Sequence, residues 1–542
     1  MRGDASVHFF WRVLTMFEKI FAVVEKVNAA INSVVWGWPM VILILGTGIL
    51  LTIRTKCMQV RKFGVSCGET IVPTLKSIGK KKKKNKPDEK SISPFEAFAT
   101  AISGTVGTGN IVGVSSAIVT GGPGAVFWMW VSAFFGMITN YAENVLGMFF
   151  RKKGSDGEFA GGPAYYLSEG LGRNTKGKAG SFLKTLGKIL GVMAAVFCVF
   201  AAIGMSGAQT NKMSGTFQTV FAGADEQKVA LIVGIVVAVV LALIILGGIK
   251  SIGKAASILV PFMSLLFIVM GLIVIFANVT ALGTAFALIF KNIFGIEAAL
   301  GGLIGYSFSQ IIQKGLARGV FSNEAGLGSS VIAHSASATR EPVKQGFWGI
   351  FEVFFDTFVI CTMTALVILV SVDPAVLYSK GAGDAFVYAD TASMYAFENL
   401  FGTFGTVVYS IIIPLFAFTT ILAWSYYGEK SVEFLFRKRS DKVRKIAKMT
   451  FKIAYILLVV VSALIDGELA WAISDTFNGL MALPNLIGLV ILSGLVVRIT
   501  KNYFDRKKGK DVTPMLSAYP EMNEAFIADE QAGCEELLES EE

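Results

Sequence analysis

Histidine and cysteine are scarce in this chain: 542 residues hold 2 His and 5 Cys. The cysteines (Cys57, Cys67, Cys198, Cys361, Cys534) show no metal-type spacing, and the histidines are His8 and His334. This argues against a zinc or iron centre. Charge is also scarce, at 16% against 54% hydrophobic residues, with a mean hydropathy of +0.62. That is not the composition of a large soluble enzyme. No acid, base and metal set converges in the sequence, so an enzyme is not expected. The glycine-rich run near residue 107 is not followed by Gly-Lys-Ser/Thr, which rules out a phosphate loop. A cleavable leader is lacking too, since Met1–Gly37 has no compact apolar core ending in a small-residue cleavage site. Instead Phe9, Phe10, Val13, Phe17, Ile20, Phe21 and Val24 alternate with charged residues. Segment 1–37 is therefore predicted to be an amphipathic helix lying on a membrane.

What the chain does have is long apolar runs. Val229–Ile249 and Ala255–Phe290 contain no charge, and each exceeds the roughly 18 residues that mark a span. The pattern predicts an all-α polytopic membrane protein of about 11 transmembrane helices. They fall near 38–53, 95–119, 124–149, 188–211, 229–248, 255–277, 297–317, 347–371, 402–427, 449–465 and 470–497. Most of the 49 Lys and Arg lie in alternate loops, whereas the opposite loops hold only Lys212, Lys228, Lys291 and Lys380. The positive-inside rule puts the N-terminus outside and the C-terminus in the cytoplasm. Loop 54–94 is then basic and cytoplasmic, and its Lys80–Lys84 run is a candidate contact for anionic lipid. The net charge of +10 is a topology signal and gives no reason to expect nucleic acid. From Asp511 onward the tail has acids but no Lys or Arg, so 511–542 is expected to be disordered.

Two spans are cut by glycine and polar residues: Ile102–Gly113 and Gly301–Gln310. Backbone in lipid must satisfy its own hydrogen bonds, so a break is tolerated only where protein buries it or where it lines a cavity. With the peripheral helix 38–53 set aside, ten spans divide into 95–277 and 297–497. Each set opens with a broken helix. Five spans per set invert the second against the first, the plan of a 5+5 inverted repeat with a midplane binding site.

In the first break Gly104, Gly107, Gly109 and Gly113 give permissive backbone, and Ser103, Thr105, Thr108 and Asn110 supply polar atoms. Unwound carbonyls suit sodium, and a half-helix N-terminus suits a carboxylate. Close helix packing through Gly109-x-x-x-Gly113 is the competing reading. In the second, Ser307, Ser309 and Gln310 stand beside Tyr306 and Phe308. Thr419 and Thr420 are candidate hydroxyl ligands, or bond their own helix. Trp424, one turn on, is a candidate wall. Three acids fall inside spans, Glu143, Asp356 and Asp475, and Asp356 sits mid-span. Gln209 is a substrate contact or an interface marker. His334 is read as part of the loop after the seventh span.

Several runs carry a resemblance. They are Gly104–Gly113, Gly121–Trp130, Gly161–Tyr166, Arg318–Gly328, Asp356–Thr364 and Trp424–Glu429. Through them the chain resembles the alanine or glycine:cation symporter family, the sodium:alanine symporters of bacteria and archaea. The resemblance implies a LeuT-type fold and sodium-driven uptake of alanine, glycine or a similar small neutral amino acid across a prokaryotic plasma membrane. It implies no cofactor beyond co-transported Na+. It further implies sodium ligands at Gly104, Gly107, Thr419 and Thr420, and substrate contacts at Thr108, Gly109, Gln209, Phe308, Ile312 and Trp424. Asn323 and Glu324 would lie at the cytoplasmic end of the seventh span and, with Asp356 and Asp475, serve gating or coupling. The alternatives are a proton-coupled small-solute transporter working through Asp356, or a passive channel.

Overall fold

A computed structural model describes residues 23–77, 91–154, 157–221, 223–294, 308–372, 385–465 and 467–539. These residues are overwhelmingly helical, with one two-stranded ribbon at 152–153 and 159–160. Helix α1 (Val23–Val35) meets α2 (Trp38–Arg54) at a 41° bend. Next come α3 (Pro94–Thr105), α4 (Val112–Gly121), α5 (Ala125–Phe149), α6 (Gly177–Val220), α7 (Glu226–Ile245) and α8 (Gly248–Ala277). The second half holds α9 (Phe308–Asn323), α10 (Ser330–His334), α11 (Pro342–Ser371), α12 (Thr403–Leu435), α13 (Asp441–Leu464), α14 (Gly467–Lys507) and α15 (Pro520–Glu539). Eight helices are long and apolar enough to cross a bilayer, or ten if each of two bent pairs counts as one span. All the segments expected from apolar runs overlap a helix. The count of eleven stays open, because residues 295–307 lie outside those described.

Local chemistry explains the first broken span. Ser93 caps α3 in a capping box: its hydroxyl accepts from Glu96 N (3.2 Å) and its own N–H donates to Glu96 Oε2 (2.7 Å). Pro94 sits at the first position, where no N–H is needed. The helix stops after Thr105, a 3-10 turn covers Thr108–Asn110, and α4 leaves at 57°. Gly122, at φ 77°, ends α4.

The glycine run of the second expected break lies largely outside the described residues. Of it, Phe308, Ser309 and Gln310 are described, and they open the regular helix α9. The observed interruption is Glu324–Ser329, between α9 and α10. Glu324 (φ 55°), Gly326 (φ 93°) and Gly328 (φ 76°) take left-handed backbone there, which an α-helix cannot contain. Asn323 and Glu324 thus stand at an internal break and not at a loop boundary. His334, read as a loop residue, is fully buried, with Nε2 2.8 Å from Glu352 Oε2 and Nδ1 2.6 Å from Gln345 Nε2.

Helix α6 packs along both α12 and α14 in the centre of the molecule. The ends of the two broken spans meet on one face, where Ile92 N donates to Ala336 O (3.3 Å) and Ala338 N to Ile92 O (2.7 Å). The lysine-rich segments 430–448 and 498–510 lie on that same face. There α15 is ordered where disorder was expected. Phe526 and Leu516 pack on Phe159, and Arg340 pairs with Asp529 at 2.6 Å. Burial of those apolar side chains offsets the cost of ordering the tail. The Lys80–Lys84 run lies outside the described residues.

Candidate functional site

The first break is walled by α12 and α6. A Cβ on Gly107 would collide with the Thr420 hydroxyl, so glycine is what lets that oxygen reach unwound backbone. The Thr420 proton goes to Phe416 O (3.0 Å), which leaves the oxygen lone pairs free to accept or coordinate. Thr419 bonds Phe416 O (3.0 Å) and Leu415 O (3.1 Å) and faces Met263 Sδ of α8 (3.4 Å). Gly104 is forced small by the Tyr427 hydroxyl, 2.7 Å from where its Cβ would be, and by Ala423. Gly104, Gly107 and Thr420 therefore come together. Thr419 is adjacent in chain but turned towards α8.

Across α6, Thr108 Oγ1 donates to Gln209 Oε1 (2.8 Å), and Thr108 N lies 3.4 Å from the same oxygen. Both side chains are fully buried, and Gln209 Nε2 has no hydrogen-bond partner. A buried orphan amide is costly and signals a polar ligand. Gly109 faces the Phe321 ring, 3.4 Å from its Cβ position. Phe321 in turn lies 5.5 Å from Trp471 of α14.

Phe308 and Ile312 are not brought to this centre. Phe308 is 46% exposed, and its ring meets Trp128 at 6.4 Å and Phe294 at 5.6 Å. Ile312 packs with Val41 of α2 and Leu316. They sit in the first turn and a half of α9, whereas the interruption at Glu324–Ser329 follows its last turn. Phe321 occupies the aromatic position that sequence reasoning assigned to Phe308. Its signal was the spacing of Phe321 ahead of the Glu-Ala-Gly-Leu-Gly run.

Asp356 joins the two breaks. It lies in a π-helical stretch of α11, Phe354–Cys361, a distortion that recurs at functional sites. Asn110 of the first break donates to its Oδ1 (2.6 Å), while Ser322 beside the second (2.9 Å) and Thr357 (2.8 Å) donate to Oδ2. Asn110 Oδ1 accepts Gly107 N (2.9 Å), which extends the chain of bonds into the first break. Asn323 holds Thr357 Oγ1 through its amide (3.1 Å) and caps Ala325 N (3.1 Å). Glu324 accepts the Trp424 indole N–H (3.0 Å) and the Ser329 hydroxyl. Glu143 takes Gly326 N (3.1 Å) and the Asn485 amide. Asn485 was missed, and the bonds from Asn110 and Ser322 to Asp356 were not foreseen, because each acts through a partner far away in sequence.

Asp475 belongs elsewhere. It pairs with Arg318 at 3.6 Å and takes the Asn32 amide at 3.4 Å, and Trp36 Nε1 donates to its carbonyl (3.0 Å). These residues line a cavity of about 660 Å³ with Glu25, Lys314, Gly113 and Ser116, roofed by α1. It lies beyond α4, on the side away from the lysine-rich face. Between α6, α12 and α14 on the lysine-rich side, a gap lined by Gly161, Cys198, Gly328 and Lys430 measures about 10 Å³.

The family model described as the sodium:alanine symporter family matches residues 21–517. The chain belongs to that family. It is 42% identical over 488 residues to the sodium/alanine symporter AgcS of Methanococcus maripaludis, covering 90% of this chain and 98% of that one. It is 39% identical over 487 residues to an uncharacterized transporter of Haemophilus influenzae, covering 90% and 97%. Among solved structures it resembles a Na+-coupled sialic acid symporter in a substrate-bound outward-open state. The TM-score is 0.50 at 12% identity, covering 86% of this chain and 93% of that one. That likeness is one of fold. This member of the sodium:alanine symporter family is a multi-pass membrane protein, and its family is one of transporters.

Proposed function

We propose that this symporter carries a small neutral amino acid, alanine or glycine, into the cell with sodium by alternating access. The observation that carries the reading is the first break itself. Unwound backbone at Gly107 faces a threonine oxygen on one side, and on the other Thr108 faces an orphan buried amide of Gln209. Sodium sits among the carbonyls of Gly104 and Gly107 and the hydroxyl of Thr420, a hard-cation donor set, with Thr419 beside it turned towards α8. The amino-acid carboxylate lies at Thr108 and Gly109, at the positive end of α4. Gln209 supplies a donor, and Phe321 and Trp424 wall the side chain.

The lysine-rich face is cytoplasmic and the membrane is the prokaryotic plasma membrane, with the N-terminus outside and the C-terminus inside. On that assignment the 660 Å³ cavity lies on the outer side, as an outward-facing arrangement requires. Arg318 and Asp475 form a loose outer latch, since their side chains stay 19% and 16% exposed. Asp356 transmits the state of one break to the other through Asn110 and Ser322.

Labelled alanine uptake in proteoliposomes tests this, with an inward sodium gradient against choline. Accumulation above the outside concentration, only with sodium, is expected. Equilibration without accumulation would mean a passive channel. One observation favours a second reading: Asp356 is buried, and Asn110, Ser322 and Thr357, which donate to it, are all neutral, surroundings that suit a proton carrier. Uptake that follows pH and ignores sodium would establish that reading.

A further inference from the structure

Glu324 is expensive where it stands. It is 1% exposed and its backbone is left-handed at φ 55°, a conformation costing a non-glycine residue about 1 kcal/mol or more. Ionisable groups at membrane depth carry a further desolvation cost. Its carboxylate serves two neutral donors, the Trp424 indole N–H (3.0 Å) and the Ser329 hydroxyl. A carboxylate accepts such bonds about twice as strongly as a neutral oxygen.

Trp424 is fully buried on α12, one turn nearer the lysine-rich face than Thr420. It packs edge-on against Tyr427 at 5.4 Å, and the Tyr427 hydroxyl donates to Ala101 O of α3 (3.4 Å). The indole is therefore gripped between the inner arm of the first broken span and the second break. It lies directly below the level at which Thr420 meets Gly107.

We infer that Glu324 is a positioning residue: through the indole N–H it fixes Trp424 as the floor of the substrate chamber. The second break thereby sets both the size of amino acid accepted and its release towards the cytoplasm. This rests on the sodium-coupled amino-acid reading given above. Sodium is held one turn higher, by α12 and the first break, so its binding does not depend on the floor.

The test compares wild type, Glu324→Gln, Trp424→Phe and the double variant in proteoliposomes. Phenylalanine keeps a ring without the N–H, and glutamine keeps an acceptor without the charge. Alanine and leucine uptake are followed across graded sodium. Trp424→Phe is expected to raise the alanine KM roughly tenfold, the weight of one lost hydrogen bond of about 1.4 kcal/mol, Glu324→Gln, which weakens that bond without removing it, severalfold, and both to narrow the alanine-over-leucine preference. Half-saturating sodium should move less than about twofold, and the double variant should be no worse than the poorer single one. Additive effects, or a sodium curve that shifts as far as the alanine KM, would overturn the inference. If Glu324→Gln fails to fold, Trp424→Phe alone decides, since an unchanged alanine KM there sinks the role of the bond. Wild type without sodium-stimulated uptake would sink the transport reading first. Sound wild-type uptake with independent variants would sink this inference alone.

Discussion

The two broken spans solve one problem with different chemistry. The first is cut between arms of 12 and 10 residues by a 3-10 turn whose polar groups are neutral. The second is cut between arms of 16 and 5 residues by three left-handed residues, one of them Glu324. Freed backbone in the first faces a threonine and an amide. In the second it is tied off by Glu143 and Asn485 at Gly326. One break therefore keeps its polar groups available for cargo, while the other spends them on its neighbours. Symmetry of fold does not require symmetry of role.

The sharpest way to break this comparison is to cut the link between the halves. Asp356→Ala strands Asn110 and Ser322 in the membrane. Removing one member of a buried network costs about 3–5 kcal/mol, so accumulation should fall more than about 100-fold with a lower detergent melting temperature. More than a tenth of wild-type uptake would show that the breaks are not joined there. Next comes a matched pair on the first span. Gly107→Ala drives a methyl into Thr420 and should raise half-saturating sodium roughly 10–100-fold, as overpacking of about 1–3 kcal/mol implies. Gly113→Ala, whose Cβ position has nothing within 4 Å, should change little in the same assay.

On the second span Gly328→Ala meets Pro163 and needs φ 76°. The expected loss of about 1–3 kcal/mol should appear in the melting temperature, with half-saturating sodium unmoved in the surviving protein. A sodium shift there would erase the division of labour. The smallest effect is expected for Thr420→Ala, about tenfold in half-saturating sodium for one lost oxygen ligand. Thr420→Ser should restore it. Uptake titrations that leave the sodium curve in place would remove Thr420 from the site.

The first break was legible because glycine crowds into it, and its partners Thr420 and Gln209 lie in plainly apolar helices. The interruption at Glu324–Ser329 was hidden by physics that sequence does not display. Gly301–Gln310 is glycine-rich and apolar, as a broken span should be. Arg318–Gly328 holds Arg318, Asn323 and Glu324, and Lys314 precedes it, so it read as a cytoplasmic loop. Those polar groups are satisfied by Asp475, Thr357 and Trp424, each from another helix, and no local pattern announces that. Phe308 and Ile312 lie at the opposite end of α9 from that interruption. The tail failed for a related reason: acids on its exposed face suggested disorder, but a few residues such as Phe526 and Leu516 find a dock on Phe159.

That dock is organised by Arg151. Its guanidinium holds the carbonyls of Ser335 (3.3 Å), Ser337 (2.5 Å) and Thr339 (2.7 Å), and it lies 4.0 Å over Phe159 and 5.4 Å over Phe526. One cation thus staples the far end of the second broken span to a terminal helix that begins beyond residue 517, where the family match ends. A bulky tag fused behind that helix, or a protease nick before it, would tug on the staple and alter how readily the inner mouth parts, without touching an atom of the chamber.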